Sequence, residues 1–483
     1  MTRYKAIPII QPLSTTLSPV EVCERLQDDP YCFFLDSGIT GDRLGRYSFV
    51  GSDPFLIFKN HGGENEIRQG NSIEFLKGNP FDLLKTLLSK YRLVTPPDLP
   101  PFMGGAVGYF SYDLKHFIEK LPSRSKDDIN IPLCSLAFYD TVIIFDHLKG
   151  KTWISSSGLP EESEHLKRIR AKTRMEEFCR KLSTVRTSPR HPLPSQGSVQ
   201  LESNFSREDY IRAVLKAKEY IAAGDIYQVN LSQRFSARVA TPPFTLYKIL
   251  RALNPAPFAA YLNFDNIAMI SSSPERFLRI AGRSVETRPI KGTRPRGKSK
   301  VEDEKLRREL LESIKDKAEL IMIVDLERND LGRVCEYGTV RVPEKMVLET
   351  YATVFHLVST VTGKLKESKD HIDCIKACFP GGSITGAPKI RSMEIIDELE
   401  PTQRKIYTGS IGYLGFNQQT DLNIVIRTML CCNDTVHFQV GGGIVADSDP
   451  QLEYEETLHK GKALMEALHQ GGQVVVPPAR AII

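Results

Sequence analysis

Residues Asp225–Phe235 read DIYQVNLSQRF, and the run alternates. Successive side chains of an extended chain point to opposite sides, so Ile226, Gln228, Asn230, Ser232 and Arg234 share one face, and Tyr227, Val229, Leu231 and Phe235 the other. A strand of this kind rests its apolar face on a core. The polar face has two readings: it meets solvent, or Gln228 looks into a site. The residues before it read as a helix, with Ser206 as N-cap, Asp209 three positions on, Ile211, Val214, Leu215 and Ile221 at helical spacing, and Gly224 as the stop.

Downstream lies Glu286–Gly297, ETRPIKGTRPRG, whose prolines forbid a helix. It holds Lys291 among Arg288, Arg294 and Arg296. Positive neighbours and burial both disfavour the ammonium form, and only the neutral amine is a nucleophile. Moving a lysine pKa from roughly 10.4 to roughly 7.4 takes about 4 kcal/mol of differential interaction. Glu275, in SSSPERF, stands sixteen residues earlier and supplies the carboxyl group that acid and base chemistry needs. Two acidic pairs follow at i, i+3 spacing, Asp316 with Glu319 and Glu453 with Glu456, each on one helix face. Glu319 runs into LIMIV, where its helix enters the core. The second pair lies on a helix begun by Asp449 and Pro450. Carboxylates with no His or Cys cluster suit a hard divalent cation, Mg2+ above all, and not zinc. GGSITGAPK, Gly381–Lys389, is a glycine-rich loop entering a helix, able to hold an anion on backbone amides. It lacks the phosphate-loop pattern, since Ala387 and Pro388 stand where Lys and Ser or Thr are needed. DLNIVIRTML reads as one strand with Asp421, Asn423 and Arg427 on a shared face, and Gly441–Gly443 as a backbone-exposed turn. His356, in TVFHLVS, sits in an apolar strand.

The chain has 483 residues, 41% hydrophobic and 25% charged, with 64 basic against 59 acidic residues. That is long enough for two large domains or one composite body. Lys and Arg form no stripe, which removes the footprint of a nucleic-acid binder. No apolar run approaches the length of a membrane span, and the N-terminus lacks a signal-peptide core. A cytoplasmic protein with no membrane or nucleic-acid partner is expected. The nine cysteines have no disulfide-like or zinc-like spacing. Up to about residue 155, short apolar runs such as Tyr31–Leu35, Tyr47–Val50, Phe55–Phe58 and Thr141–Phe145 predict antiparallel strands, with a helix near Phe81–Leu88. PFMGGAVGYFSYD, Pro101–Asp113, reads as structural. Pro160–Leu182 is a charged helix, and Ser183–Ser198 a Pro/Ser linker. The expected division is 1–160, 161–203 and 204–470.

PIKGTRPRG, DLERNDLGRV, GGSITGAPKIRSMEII, GSIGYLGF, IVIRTM and GGGIVADSDPQLEYEET, in this order, resemble the chorismate-utilising enzyme family over nearly all of residues 204–468. FFLDSG and GRYSFVGSDP extend the resemblance through the N-terminal half. It implies an α+β fold: two packed, mostly antiparallel sheets flanked by helices, with the two regions interlocked. It also implies roles. Isochorismate and salicylate synthases carry a lysine base at the position of Gln228, so its absence here points to ammonia as nucleophile. Anthranilate synthases read PIAGT where this chain reads PIKGT, and lysine there marks the aminodeoxychorismate synthase component I branch, of para-aminobenzoate and folate biosynthesis. That branch is the expectation, with anthranilate synthase component I as the alternative.

By the same resemblance, Lys291 attacks C2 of chorismate as the C4 hydroxyl departs, and ammonia then attacks C4 and expels the lysine. Glu275 handles the protons, and His356 lies near the ring. Glu319 and Glu456 match direct magnesium ligands, with Asp316 and Glu453 acting through water. Tyr407, Arg427, Gly441 and Gly443 match the part that binds the pyruvyl carboxylate; Gln228, Thr293, Ser383 and Lys460 match other substrate contacts. A tryptophan pocket of related chains is matched by Leu35, Asp36, Ser37, Tyr47 and Ser48, and by Pro257 and Phe258 of NPAPF. Asp36 and Phe258 depart from the usual residues there. A purely regulatory binding module is the other class of reading, and a complete acidic cluster argues against it. None of the cysteines has the G-x-C-x-G setting of a glutamine amidotransferase, so ammonia is expected from a separate partner subunit.

Overall fold

Alternation decides where the layers go. In the strand Cys32–Asp36, Phe33 enters a large aromatic core while Phe34, one residue on, enters a second core on the opposite face. The computed structural model describes residues 4–38, 44–96, 98–184, 200–351 and 354–471. Two 12-stranded sheets dominate them, each a path of eleven strands with a twelfth beside it, Arg341–Thr350 on Val354–Lys364 in one and Gly386–Ala387 on Gln228–Arg238 in the other. One runs in space from Ile290–Pro295 through Val354–Lys364, Ser284–Arg288, Arg276–Ala281, Gln419–Asn423 and Ser410–Gly415 to Gly105–Phe110, Cys134–Tyr139, Leu56–Asn60, Asn65–Gln69 and Ser72–Leu76. The other runs from Glu202–Ser203 through Gln228–Arg238, Thr435–Ile444, Thr428–Cys432, Ile267–Ser273 and Phe258–Phe264 to Cys32–Asp36, Tyr47–Gly51, Thr141–Asp146, Lys151–Ser156 and Ile9–Pro12. Every pairing along both paths is antiparallel. A small parallel pair, Tyr4–Ala6 with Tyr91–Leu93, stands apart.

The main core lies between the sheets. Phe33 of the second sheet meets Tyr139 of the first with ring centroids 4.6 Å apart, and Phe49 meets Tyr413 at 5.7 Å, both edge to face. A second core lies under the helices Pro19–Leu26, Glu164–Ser183, Pro243–Leu253 and Pro450–Gly471, through residues such as Val22, Phe178, Tyr247 and Leu464. A third joins the helices Arg207–Ala222 and Lys389–Leu399 to Val229 and Leu231. The α+β expectation of two packed antiparallel sheets flanked by helices holds. Each sheet takes strands from both sides of the Ser183–Ser198 linker, which from residue 185 on lies outside the described residues.

The elements form where their local chemistry favours them. The Ser206 hydroxyl accepts from Asp209 N, and the helix stops at Gly224, whose φ of +82° is a conformation glycine adopts without strain. Its buried face is Tyr210, Ala213, Val214 and Ala217, whereas Leu215 is 49% exposed. The expected face was therefore rotated by part of a turn, because small alanines let the helix approach its sheet closely. DLNIVIRTML is not one strand. Gln419–Asn423 belongs to the first sheet and Thr428–Cys432 to the second, and the chain crosses between them at Ile424–Arg427, where Arg427 has φ +53°. Arg427 therefore shares no strand face with Asp421 and Asn423. Gly441–Gly443 is likewise not a turn but the C-terminal part of the strand Thr435–Ile444, paired with Asn230, Leu231 and Ser232.

Candidate active site

The polar face of Gln228–Arg238 is buried rather than solvated: Gln228 and Ser232 are 0% exposed, and Asn230 and Arg234 7%. Neither side-chain atom of Gln228 has a hydrogen-bond partner, which is costly for a buried amide unless a ligand completes it. Opposite stands Gly443. A Cβ placed there would lie 2.7 Å from Gln228 Nε2 and 3.5 Å from Lys291 Nζ, so a glycine is what lets the amide and the amine face each other across the strand. Lys291 comes from the edge strand of the first sheet, so the site forms where the two sheets converge. Gly292, at φ +76°, brings the helix Ile314–Val334 against this strand; a Cβ there would strike Asp316 at 2.9 Å.

Burial pushes the Lys291 amine below its ordinary pKa; Glu319, 4.0 Å away, and Glu275 pull it back, and Lys460 adds to the depression. The three arginines do not act as the sequence suggests. Arg288 is paired with Glu349 at 2.6 Å, Arg294 with Glu309 at 3.0 Å and Asp316 at 3.1 Å, and Arg296 with Asp303 at 2.6 Å. Their charges are already balanced. Burial also dominates at Glu275, pushing its carboxyl up from 4.5 to about 7 against the stabilising Ser383 hydroxyl, the Lys291 charge and the Ile290 amide 3.4 Å away. The Ser383 hydroxyl lies close to Glu275 without meeting full hydrogen-bond geometry. His356 hydrogen-bonds Thr293 Oγ1 at 2.9 Å, and burial with the nearby Arg427 charge lowers it to about 4, so its imidazole is neutral at working pH. Among the described residues Arg427 has no carboxylate partner, and burial lowers its pKa, as expected of a cation awaiting an anionic ligand; Tyr407 lies beside it.

The acidic residues arrive from two helices. Glu453 Oε2 would lie 2.9 Å, and Glu456 Oε1 3.6 Å, from a Cβ at Gly442. Burial raises Glu319 and Glu453, and each is raised further by Glu456. At Glu456 the effect of burial is outweighed by Lys460, 2.6 Å away, and by Lys315. Lys460 also donates to Gly441 O at 2.9 Å. Among the described residues no three His, Cys, Asp or Glu side chains stand close enough to cage a metal, and lysines and Arg294 balance the carboxylates instead. By the chemistry of their donors, though not by their spacing here, the oxygen-only, mutually repelling carboxylates Asp316, Glu319, Glu453 and Glu456 fit a hard divalent cation.

A second cavity, about 370 Å³, is lined by Leu35, Asp36, Ser37, Tyr47, Pro257 and Phe258, with Arg276, Tyr413 and Asp421. Ser48 sits behind its wall, donating to Asp36 Oδ1 at 3.2 Å. Asp36 is already engaged by Tyr247 at 2.8 Å and Arg251 at 2.5 Å. Arg276 lines this cavity, whereas its chain neighbour Glu275 does not.

Sequence reasoning passed over two groups. Glu327, whose carboxyl burial pushes to about 8, accepts from Thr287 at 3.0 Å and lies near Glu275. Its place in DLERNDL, four residues beyond Ile323 on a helix already in the core, was the available signal. Arg404 and Glu400 form a buried pair at 2.7 Å whose only trace in the sequence is their i, i+4 spacing.

The fold and this site define a protein in which a buried amine, a carboxyl and a guanidinium without a carboxylate partner among the described residues gather where two antiparallel sheets converge. Residues 29–466 match the chorismate binding enzyme family, and the chain belongs to it. It is an enzyme acting on chorismate. It is 41% identical over 478 residues to anthranilate synthase component 1 of Acetivibrio thermocellus, covering 98% of this chain and 97% of that one. It is equally 41% identical, over 428 residues, to aminodeoxychorismate synthase component 1 of Bacillus subtilis (strain 168), covering 88% and 90%. The crystal structure of anthranilate synthase component I from Streptococcus pneumoniae TIGR4 superposes with a TM-score of 0.77 at 31% identity, over 94% of this chain and 99% of that one. Among the described residues no helix is long and apolar enough to cross a membrane.

Proposed function

We infer that the chain is the component I of an aminodeoxychorismate synthase, converting chorismate and ammonia to 4-amino-4-deoxychorismate and water. The observation that carries the reading is Lys291: a buried amine with lowered pKa, facing Gln228 and flanked by Glu275. In this reading Lys291 Nζ forms a bond to C2 while the C4 hydroxyl leaves as water with a proton from Glu275. Ammonia then bonds to C4 and expels the lysine from C2. A carboxyl with a pKa of about 7 is divided between its two forms at neutral pH, which suits a group that first gives and later takes a proton. Arg427, Tyr407, Gly441 and Gly443 bind the pyruvyl carboxylate, while Thr293 orients the neutral His356 at the ring. Gln228, with no lysine base in its place, leaves water unactivated.

A magnesium ion, which Asp316, Glu319, Glu453 and Glu456 would hold, would neutralise and anchor the ring carboxylate. The ammonia comes from a separate glutamine amidotransferase subunit, as the component 1 names of the relatives suggest. The second reading is anthranilate synthase component I, since a relative of that name is as identical to this chain as the aminodeoxychorismate synthase relative is. The second cavity, its Asp36 already satisfied from within the chain, suits a structural more than a regulatory tryptophan. The test is product identity. Purified chain with chorismate, magnesium and ammonium chloride should yield 4-amino-4-deoxychorismate on chromatography, and anthranilate as the main product would overturn the reading.

A further inference from the structure

A buried ion pair is expensive to desolvate and contributes little stability for its own sake, so what else it holds is the informative question. Arg404 and Glu400 are each 3% exposed and meet through two contacts, Nε to Oε2 at 2.9 Å and Nη2 to Oε1 at 2.7 Å. The guanidinium spends its remaining donors on three segments, two of them distant in sequence. Nη2 donates to Asn230 O at 2.7 Å, two residues along the strand from Gln228. Nη1 donates to Ile384 O at 3.1 Å, next to Ser383, and to Thr408 Oγ1 at 3.2 Å, next to Tyr407. Its central carbon, Cζ, also lies 5.5 Å from the centre of the Tyr407 ring. Glu400 in turn accepts from the amide and hydroxyl of Ser232, at 2.9 and 2.7 Å.

We propose that Arg404, locked by Glu400, is a positioning residue that sets the relative placement of three walls of the chorismate site, those bearing Gln228, Ser383 and Tyr407. It touches no substrate. The planar fork is what the task needs: a guanidinium spreads five donors in fixed directions, whereas an ammonium concentrates three at one point. The proposal rests on these walls contacting chorismate, and not on which ring carbon is aminated.

Its test follows chorismate loss by the full chain with magnesium and saturating ammonium, a signal common to either amination. Arg404→Lys keeps a charge for Glu400 but cannot span the three acceptors. It should raise the KM for chorismate about tenfold or more, with kcat within about threefold and a near-parental Tm, since bound substrate re-seats walls that the free enzyme no longer holds. Arg404→Ala should regain affinity for chorismate when guanidinium chloride is added at millimolar concentration. An unchanged KM with kcat reduced in proportion to the folded fraction would mark the pair as merely structural. Unfolding of the lysine variant together with failure of guanidinium rescue would overturn the proposal equally. A parental chain that consumes no chorismate removes the reading beneath it.

Discussion

An amine attacks carbon only when unprotonated, and at Lys291 burial, not a ring of arginines, does most to favour that state. Lys291→Ala should therefore still bind chorismate, since Arg427 and the acidic cluster remain, yet form almost no 4-amino-4-deoxychorismate. Lys291→Arg should not recover it, because a guanidinium stays protonated. In the parent the rate should fall as pH drops through the lowered lysine pKa. Product formation by the Ala variant near the parental rate would mean that ammonia attacks directly. Glu275 carries a stability cost for its function. Its carboxyl binds a proton more tightly in the folded chain, at about 7 against 4.5, so the penalty is absent below pH 4.5, grows as pH rises and is complete above 7. That difference amounts to on the order of 3 kcal/mol. Glu275→Gln should be inactive but more stable than the parent at pH 8, with the advantage gone at pH 4 in denaturant titrations. An equal Tm difference at both pH values would contradict the assignment.

At the scale of elements, the site depends on how closely the helix Pro450–Gly471 lies on the strand Thr435–Ile444. Gly442 permits that approach, since a Cβ there would lie 2.9 Å from Glu453 Oε2. Gly442→Ala should turn the Glu453 and Glu456 carboxylates aside, raise the magnesium concentration needed for half-maximal rate several-fold, and cost only about 1–3 kcal/mol of stability. Unaltered magnesium dependence would show that the Glu453 and Glu456 carboxylates do not work as a unit with the metal. The helix Arg207–Ala222 and the strand that follows show how much local chemistry supplies. Cap, stop and alternation are all written in residues 206–235, and the elements form there. The break in DLNIVIRTML was hidden because Ile424–Ile426 is as apolar as a strand interior; what ends the strand is the left-handed Arg427 and the transfer of the chain from one sheet to the other.

At the scale of the whole molecule, the two halves of the chain are interleaved. Gly105–Phe110 pairs with Ser410–Gly415, and Cys32–Asp36 with Phe258–Phe264. Chains ending at residue 184 or beginning at 200 would each expose unpaired strand edges and half of the aromatic core. Expressed separately, neither should give a dispersed NMR spectrum, while co-expression should restore a folded, chorismate-consuming complex. A stable fold of either fragment alone would show that the interlocking is dispensable. The local elements, the lysine in an extended stretch, and the family were legible in the order of residues, because caps, prolines and periodicity act over a few neighbours. The partners of Arg288, Arg294 and Arg296, the burial that tunes Glu275 and Glu327, the meeting of Gln228 with Lys291 and the junction at Arg404 were not. Each depends on which distant segments the two sheets bring within a few ångströms, and electrostatics and desolvation respond to that distance rather than to separation along the chain.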